Sequence, residues 1–558
     1  MGWLETGDKC NQRIFLHGAQ DIEIMPEDSA WYFRRDVNTS LNAEDEIKRG
    51  FVFAFPDNAL KNEALDFVVG DDDDDDDEKQ WFKKNIDPHQ IRKIEALSDT
   101  EADFIGNIFQ DKSAKRHQFR NRIEMSIDHF FWLSDHCFVV SGGIDTEGHF
   151  GKNGAFSVIA GNEKISPSSI IYGEREDLKD DSKIMTDTDF ILIVEVGPER
   201  GRKDLDRLQL QVRDKNHVGY AQLTLKEKLT LKEKSKILLS HIDLDSGKFF
   251  SVFDGGIGLA LSALWDQIYA SDDLKIDIKE YGNPPADPKV SLIVPLYGRI
   301  DLIMYQMSIF ANDPDFLKHA QLIYVLDDPR QYKSVWEYVE ALYPVYRVPL
   351  KLIRYDKNLG YAKANNIGAR HATANILILM NSDVMPKTVN WVSQSLKIFE
   401  VLENVGAAGI KLLYEDQTIQ HQGMVFERLP ALDNAWVNIH PGKNMSDTGH
   451  NKKTVAVPAV TGAFLMTPKS IYDAVGGLDE GYILGDFEDS DYCLKLYEKG
   501  YLTYYIPRIE MYHLERQSQS MVDTLRNKKK ITLFNCWKHF FRWNDTIEKL
   551  TKEYNNEQ

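Results

Sequence analysis

Side chains able to bind a ligand follow three apolar segments in the C-terminal half of the chain, each where the apolar run stops. They are Pro295, Tyr297 and Arg299 after the first run, Asp327 and Asp328 after the second, and Asn381, Ser382 and Asp383 after the third. A carboxylate at the end of a buried strand is a hard oxygen ligand of the kind that Mg²⁺ or Mn²⁺ takes. The same residue type often caps helices, so Asp383 by itself indicates a metal ligand and a helix cap about equally.

An acidic cluster further along the chain opens a predicted helix over 492–499, and its members are Asp486, Glu488, Asp489 and Asp491. The helix dipole favours acids at this position, but four acids in six residues exceed what capping requires. Clustered carboxylates repel one another, which raises the pKa of one of them and suits it to act as a general base. His513 follows a predicted strand over 504–506. A lone histidine is more often structural, although this one could complete a metal site with Asp383.

The elements that must position these residues begin after a linker, Tyr281–Pro288, which is rich in proline. The predicted strands are 290–296, 322–326, 350–353 and 376–380, and the predicted helices between and after them are 301–311, 331–343, 361–372 and 388–403. This alternation predicts βαβ units, and thus an α/β fold with a mostly parallel sheet covered on both faces. Ligands bind beyond the carboxyl ends of such strands, so the candidate residues should meet at one edge of the sheet.

The first half of the chain shows no chemical motif. Residues 80–130 favour helices, whereas the segment from Cys137 to about Leu225 shows short strands broken by glycines. That second pattern predicts a separate β-rich, sandwich-like module. The run 71–78, seven aspartates and a glutamate, indicates a solvated acidic loop because like charges repel one another.

Composition and charge exclude several classes of protein. Lys and Arg number 67 against 87 Asp and Glu, and the resulting net charge of −20 argues against a nucleic-acid-binding protein. The four cysteines lie far apart, which fits a reducing compartment. Apolar stretches stay well short of the roughly 20 residues that a membrane span needs. We therefore expect a cytoplasmic protein.

Seven segments between Pro288 and Ser520 occur together in an order that carries a resemblance. They are Asn358–Gly368, Leu379–Asp383, Thr418–Met424, Thr461–Met466, Val475–Glu480, Phe487–Leu494 and Tyr512–Glu515. In this order, over about 230 residues, they resemble family 2 glycosyltransferases of the GT-A fold, of the bacterial rhamnosyltransferase or O-antigen biosynthesis type. The resemblance covers less than half of the chain and leaves residues 1–280 unexplained.

The resemblance implies an inverting, metal-dependent transfer of a sugar from a nucleotide-sugar donor to a hydroxyl of a glycan or lipid-linked oligosaccharide acceptor. Asp489 would be the general base and Glu488 would orient the acceptor. Asp383 would bind the Mn²⁺ or Mg²⁺ that bridges the diphosphate, with His513 as a further ligand. The implied nucleotide-sugar contacts are Pro295, Tyr297, Arg299, Asp327, Asp328, Asn358, Lys363, Asn381, Ser382 and Gly462.

The chain departs from the family pattern at two places, and the first of them, Asn381, keeps an alternative open. Asn381 stands where the metal-binding motif usually begins with an acid, and Pro329-Arg330 replace a usual Gly-Ser pair. The alternative is a catalytically weak or inactive carbohydrate-binding or scaffold protein that uses the same fold. The joint presence of Asp383, Asp489 and His513 argues against it.

We expect four parts along the chain. They are a mixed and helical region over 1–130, a β-rich module of unknown role over 131–280, the GT-A domain over 286–520, and a helical segment over 521–558. Basic and aromatic residues over 521–545 could make a peripheral contact at the inner face of the cell membrane. We favour a helix packed on the catalytic domain, since aromatic residues at helical spacing are usually core.

Overall fold

The computed structural model describes seven strands within residues 2–86 and much of the chain from residue 121 onward. The gaps after residue 121 are 146–154, 161–162, 175–186, 198–201, 206–207, 215–216, 226–228, 243–248, 270–273, 448–452, 515–524 and 558. The chain forms two compact units, residues 1–168 with 174–226, and residues 169–173 with 227–558.

The first unit is built of strands. Those before residue 121 are Gly2–Glu5, Gln12–His17, Ile22–Ile24, Ser29–Phe33, Lys48–Phe53, Leu65–Asp71 and Phe82–Ile86. The predicted acidic loop lies outside the described residues, apart from Asp71 at a strand end. The helices expected over 80–130 are wrong for the described part of that range, which is strand. In Glu124–Ser134, half-buried and exposed side chains alternate from Met125 to His129, which is the strand period of two.

Two antiparallel sheets of the first unit share one core. One contains Glu124–Ser134, Cys137–Asp145 and Asp187–Glu195, and the other contains Glu163–Ile165, Ala155–Ala160, Leu208–Asp214 and His217–Gln222, with Asn121–Arg122 paired in parallel at its edge. Val140 and Leu192 of the first sheet pack in the same apolar cluster as Val158 and Leu210 of the second. The predicted sandwich-like module is therefore confirmed.

The second unit is organised around a large sheet. Its centre is four mutually parallel strands in the spatial order Leu350–Arg354, Ala320–Leu326, Val290–Leu296 and Ile376–Met380. Two of these match the predicted bounds and the other two differ by at most two residues. Further strands extend the sheet. Those that the sequence did not predict are Asp277–Tyr281, Val384–Pro386, Val405–Leu413, Ile419–His421, Val455–Ala456 and Phe464–Pro468, and the long strand Leu502–His513 contains the predicted strand over 504–506. Val425–Leu429 and Ala435–Ile439 form a separate hairpin.

Helices cover both faces of this sheet, as the alternating pattern predicts. They are Leu302–Ala311, Pro314–His319, Ser334–Tyr346, Gly360–Arg370, Trp391–Val401, Lys469–Ala474, Glu488–Glu498 and the C-terminal helix Leu525–Glu557. Val294 of the first central strand belongs to one apolar core with Trp391, and its neighbour Ile293 belongs to another with Ile367. Successive residues of the strand thus point into opposite cores, which is why the strand is apolar at every position except Ser291.

The segment 231–269 differs from the β-rich module in which we expected it. It forms the helices Leu231–Ser240, Phe249–Val252 and Gly258–Tyr269, with one π-helical turn at Phe253–Ile257, and it belongs to the second unit. It packs on the C-terminal helix, where Phe534 and Trp543 are buried. The same helix also packs on the catalytic region, as we favoured, since Trp543 Nε1 donates a hydrogen bond of 2.7 Å to Asp491 Oδ1. Within the described residues, no helix combines the length and apolarity that crossing a membrane requires.

Candidate functional site

A cleft of about 670 Å³ opens beyond the carboxyl ends of the central parallel strands. Eleven of the predicted site residues line it: Pro295, Tyr297, Asp327, Asn358, Asn381, Ser382, Asp383, Gly462, Glu488, Asp489 and His513. These residues are up to about 220 positions apart in the sequence, and the strand ends bring them together.

Three predicted nucleotide-sugar contacts do not line this cleft, because each is held by another side chain. Arg299 pairs with Asp301 at 2.7 Å, and Lys363 pairs with Glu480. Asp328 is fully buried and accepts two hydrogen bonds of 2.8 Å from the Arg330 guanidinium. Burial alone would raise the pKa of Asp328, but Arg330 and two backbone donors hold it below its ordinary value. These three residues organise the loops around the cleft.

Asp327 ties the second central strand to the start of the helix Gly360–Arg370. Its Oδ1 accepts hydrogen bonds from the Leu359 backbone N–H at 2.7 Å and from the Tyr355 hydroxyl at 2.9 Å, and its Oδ2 accepts one from the Gly360 N–H at 2.8 Å. Burial raises the pKa of Asp327 to about 7 despite these donors. Asp327 thus fixes the backbone on which Asn358 enters the cleft.

Asp383 and His513 meet because the short strand Val384–Pro386 pairs with the end of Leu502–His513. His513 Nε2 lies 3.4 Å from Asp383 Oδ1, both residues are buried, and His513 Nδ1 has no hydrogen-bond partner. Two ligands at right angles around an ion, each roughly 2.1 Å from it, are roughly 3 Å apart. The pair therefore fits two ligands of one divalent cation. Among the described residues, no group of three or more acidic, histidine or cysteine side chains is arranged to hold a metal, so further ligands would have to come from a substrate or from water.

Asp489, which lines the same cleft, is fixed by backbone donors. Its Oδ2 accepts a hydrogen bond from the Gly462 N–H at 2.8 Å, and its Oδ1 accepts one from the Ser490 N–H at 2.7 Å. Burial raises the pKa of Asp489, outweighing these two donors, and the charge of Asp486 adds to the rise. A Cβ at position 462 would come within 3.1 Å of the Tyr361 ring, so glycine permits this close approach.

Glu488 is buried beside Asp489, and its Oε2 has no hydrogen-bond partner. Burial raises its pKa well above the ordinary value, and the charges of Asp489 and Asp486 raise it further. Two adjacent carboxyls in one buried site do not both ionise easily, since each charge disfavours the other. The backbone donors on Asp489 make it the better-stabilised anion, and Glu488 is the member of the pair that keeps its proton.

Residues 321–535 match the model of a family described as glycosyltransferase like. This segment is a glycosyltransferase-family domain. The predicted resemblance to glycosyltransferases is confirmed by the match, which covers the acidic helix, His513 and the first part of the C-terminal helix.

Relatives of the glycosyltransferase domain are larger proteins. An uncharacterized protein of Sinorhizobium fredii, y4gI, is 27% identical over 289 residues, covering 52% of this chain and 29% of that protein. The O-antigen biosynthesis protein RfbC of Myxococcus xanthus is 25% identical over 198 residues, covering 35% of this chain and 15% of that protein. The crystal structure of GalNAc-T7 with UDP, GalNAc and Mn²⁺ is similar at 15% identity and a TM-score of 0.36, over 47% of this chain and 50% of that one. The matched part of the chain spans less than a third of either curated relative.

The glycosyltransferase domain also places residues in the cleft that sequence reasoning missed. They come from the strand Ile419–His421, the hairpin and the loop that follows it, and the C-terminal helix, and they include Gln420, Asn438, His440, Lys443, Lys528, Thr532 and Cys536. Buried His421 accepts a hydrogen bond at Nε2 from the Gly423 N–H. The proton of neutral His421 is therefore on Nδ1, which lies 3.0 Å from His440 Nδ1. Burial holds the pKa of His421 well below its ordinary value, so His421 is neutral and orients His440.

The signal for the C-terminal helix was present in the sequence. Thr532, Asn535 and His539 recur at helical spacing among aromatic residues. Polar side chains on an otherwise apolar helix face need partners, and here the partners belong to the acidic helix and to the loop before it.

Proposed function

We propose that this protein is an inverting, metal-dependent glycosyltransferase that moves a sugar from a nucleotide-sugar donor to a hydroxyl of a glycan acceptor in surface-polysaccharide synthesis. One observation carries the proposal: Asp383 with His513, and Asp489 with Glu488, face a single cleft of the glycosyltransferase-family domain. The match to an O-antigen biosynthesis protein supports the polysaccharide context.

Asp383 and His513 would hold the divalent ion at the donor diphosphate. A bound Mn²⁺ or Mg²⁺ neutralises charge on the departing diphosphate. Tyr297, Pro295 and Asn358 also line this cleft and would contact the nucleoside. The anomeric carbon would then face the acidic helix.

Asp489 would accept the proton of the acceptor hydroxyl. The hydroxyl oxygen forms its bond to the anomeric carbon as the bond from that carbon to the diphosphate oxygen breaks, and the electron pair leaves with the diphosphate. Attack from the face opposite the leaving group inverts the configuration. Neutral Glu488 can donate a hydrogen bond that orients the acceptor, and the Gly462 N–H keeps Asp489 aimed at the reacting oxygen.

The second candidate function is a carbohydrate-binding or scaffold protein with little or no activity. The observation that favours it is Asn381, whose neutral side chain lines the cleft beside Asp383. An amide is a weaker metal ligand than a carboxylate, so a donor could bind without efficient transfer.

Nucleotide release from a panel of UDP-, dTDP-, GDP- and CMP-sugars, with Mn²⁺, Mg²⁺ or EDTA, distinguishes the two functions. We expect slow hydrolysis of one donor that EDTA abolishes and that Asp383→Ala also abolishes, together with metal-dependent nucleotide binding. Asp287→Ala, a change at an exposed carboxylate far from the cleft, is the matched control. Absence of both release and metal-dependent nucleotide binding would favour the scaffold.

A further inference from the structure

A row of stacked aromatic rings lies on the second unit, apart from the catalytic cleft. The Trp537 indole stacks on Phe253, with ring centroids 5.8 Å apart and planes 21° apart, and on Phe541, at 5.9 Å and 29°. Trp537 is 5% exposed, whereas Phe541 is 78% exposed. The row therefore runs from the core to a ring that is open to solvent.

Specific contacts fix this row in place. Trp537 Nε1 donates a hydrogen bond of 2.7 Å to Asp254 Oδ1. A Cβ at position 258 would lie 2.5 Å from the Trp537 ring, so glycine is what lets the helix Gly258–Tyr269 approach it. Asp254 lies in the π-helical turn Phe253–Ile257, where Gly256 has a φ of 113°. π-Helical turns of this kind are costly and frequently mark functional sites.

Hydrogen-bonding groups surround the exposed ring. A shallow pocket of about 270 Å³ beside Phe541 is also lined by Asp254, Arg542, Asn544 and Asp545. Arg542 is already engaged, at 2.6 Å from Asp479 and 3.0 Å from Asp491. Carboxylate and amide oxygens are acceptors for hydroxyl groups, and an open aromatic face packs against apolar C–H groups. A pyranose ring presents both kinds of surface.

We propose that this Phe541 pocket binds one sugar unit of the glycan acceptor at a distance from the reacting hydroxyl. The assignment rests on the proposed function, which supplies the glycan. The C-terminal helix connects the two sites, because residues between 528 and 536 line the cleft and residues between 537 and 545 line the Phe541 pocket. From Cys536 to Phe541 the helix rises roughly 7.5 Å and turns through roughly 140°, so an acceptor oligosaccharide that occupies both sites must curve around the helix.

Charge favours a glycan over a membrane as the occupant. The pocket is bordered by the carboxylates of Asp254 and Asp545, and its Arg542 is paired with two further acids. The negative surface of a cytoplasmic membrane leaflet attracts basic segments and repels such a rim. Neutral sugar hydroxyls are not repelled by these carboxylates.

Saturation-transfer NMR on the full chain tests the proposal, with neutral tetrasaccharides of rhamnose, mannose, galactose and glucose as probes. We expect at least one probe to bind, Phe541→Ala to weaken its affinity about tenfold, and Phe541→Trp to retain it. Val401→Ala, at an exposed apolar side chain on another helix, is the matched control and should bind normally. Donor hydrolysis without acceptor should be unchanged in Phe541→Ala.

No binding by any probe, or equal binding by Phe541→Ala, would overturn the assignment. If Phe541→Ala bound the glycan normally but no longer cosedimented with phosphatidylcholine–phosphatidylglycerol vesicles, Phe541 would be a membrane contact, and the assignment would also be overturned. Failure of the proposed function has a different signature, since wild-type protein would then release no nucleotide whatever the outcome at Phe541.

Discussion

Asp489 and Glu488 are neighbours in the sequence, yet their surroundings assign them different protonation states. Asp489 accepts two backbone hydrogen bonds, whereas Glu488 Oε2 has no partner and is buried. Backbone donors favour an anion, and burial without a partner favours the neutral acid. In the proposed mechanism these two side chains would serve as base and hydrogen-bond donor side by side, as acceptor activation requires.

The raised pKa of Asp489 predicts the pH dependence of transfer. Because the base works only when ionised, activity is present above this pKa and is lost as the pH falls through it. The acidic limb of kcat/KM should therefore lie above the ordinary aspartate value of 3.8. Asp486→Asn should move the limb to lower pH, since the charge of Asp486 contributes to the rise.

A pH–rate series on wild type, Asp486→Asn and the exposed control Asp287→Asn checks this prediction. A limb at the ordinary aspartate value, or one that Asp486→Asn leaves in place, would remove Asp489 as the group that titrates.

At the scale of elements, the C-terminal helix holds the loop that leads into the acidic helix. Leu484, Gly485, Asp486 and Phe487 all have positive φ, at 61°, 150°, 81° and 76°. Each non-glycine residue in this region costs about 1–3 kcal/mol. Buried Asn535 secures the loop by accepting from the Ile483 N–H at 2.9 Å and donating to the Ile483 and Gly485 carbonyls at 3.1 and 2.7 Å.

Asn535→Ala should disturb catalysis through this loop. We expect a loss of about 2–4 kcal/mol in the free energy of unfolding, because buried backbone groups lose their partners. We also expect kcat to fall at least about tenfold, with little change in donor affinity, because the base is displaced while the donor side of the cleft is kept. Thr532→Ala, which removes one hydrogen bond to Asp486, should show a smaller effect of the same kind.

Denaturant unfolding and steady-state kinetics measure both effects, with exposed Asn555→Ala on the same helix as the control. If Asn535→Ala lowered stability and left kcat unchanged, the helix would be a structural support only.

For the whole molecule, local patterns predicted the parallel centre of the second unit because its strands are continuous apolar runs between amphipathic helices. Most strands that extend this centre escaped prediction, since a strand such as Val405–Leu413 is defined by distant partners rather than by its own pattern. The helical segment 231–269 was wrongly assigned to the β-rich module for a similar reason, because its aromatic residues are buried through contacts with the distant C-terminal helix. Eleven predicted site residues line one cleft because the strand ends fix their positions. Arg299, Asp328 and Lys363 instead pair with other charged side chains and do not line it.

The measurement that tests the central claim most directly is donor turnover by Asp489→Asn, with donor binding measured in parallel. The change keeps the shape of the side chain and removes the base. We predict that transfer and donor hydrolysis are lost by at least about a hundredfold, as expected for loss of a general base, while nucleotide-sugar affinity stays close to wild type. Turnover at the wild-type rate in Asp489→Asn would contradict the account.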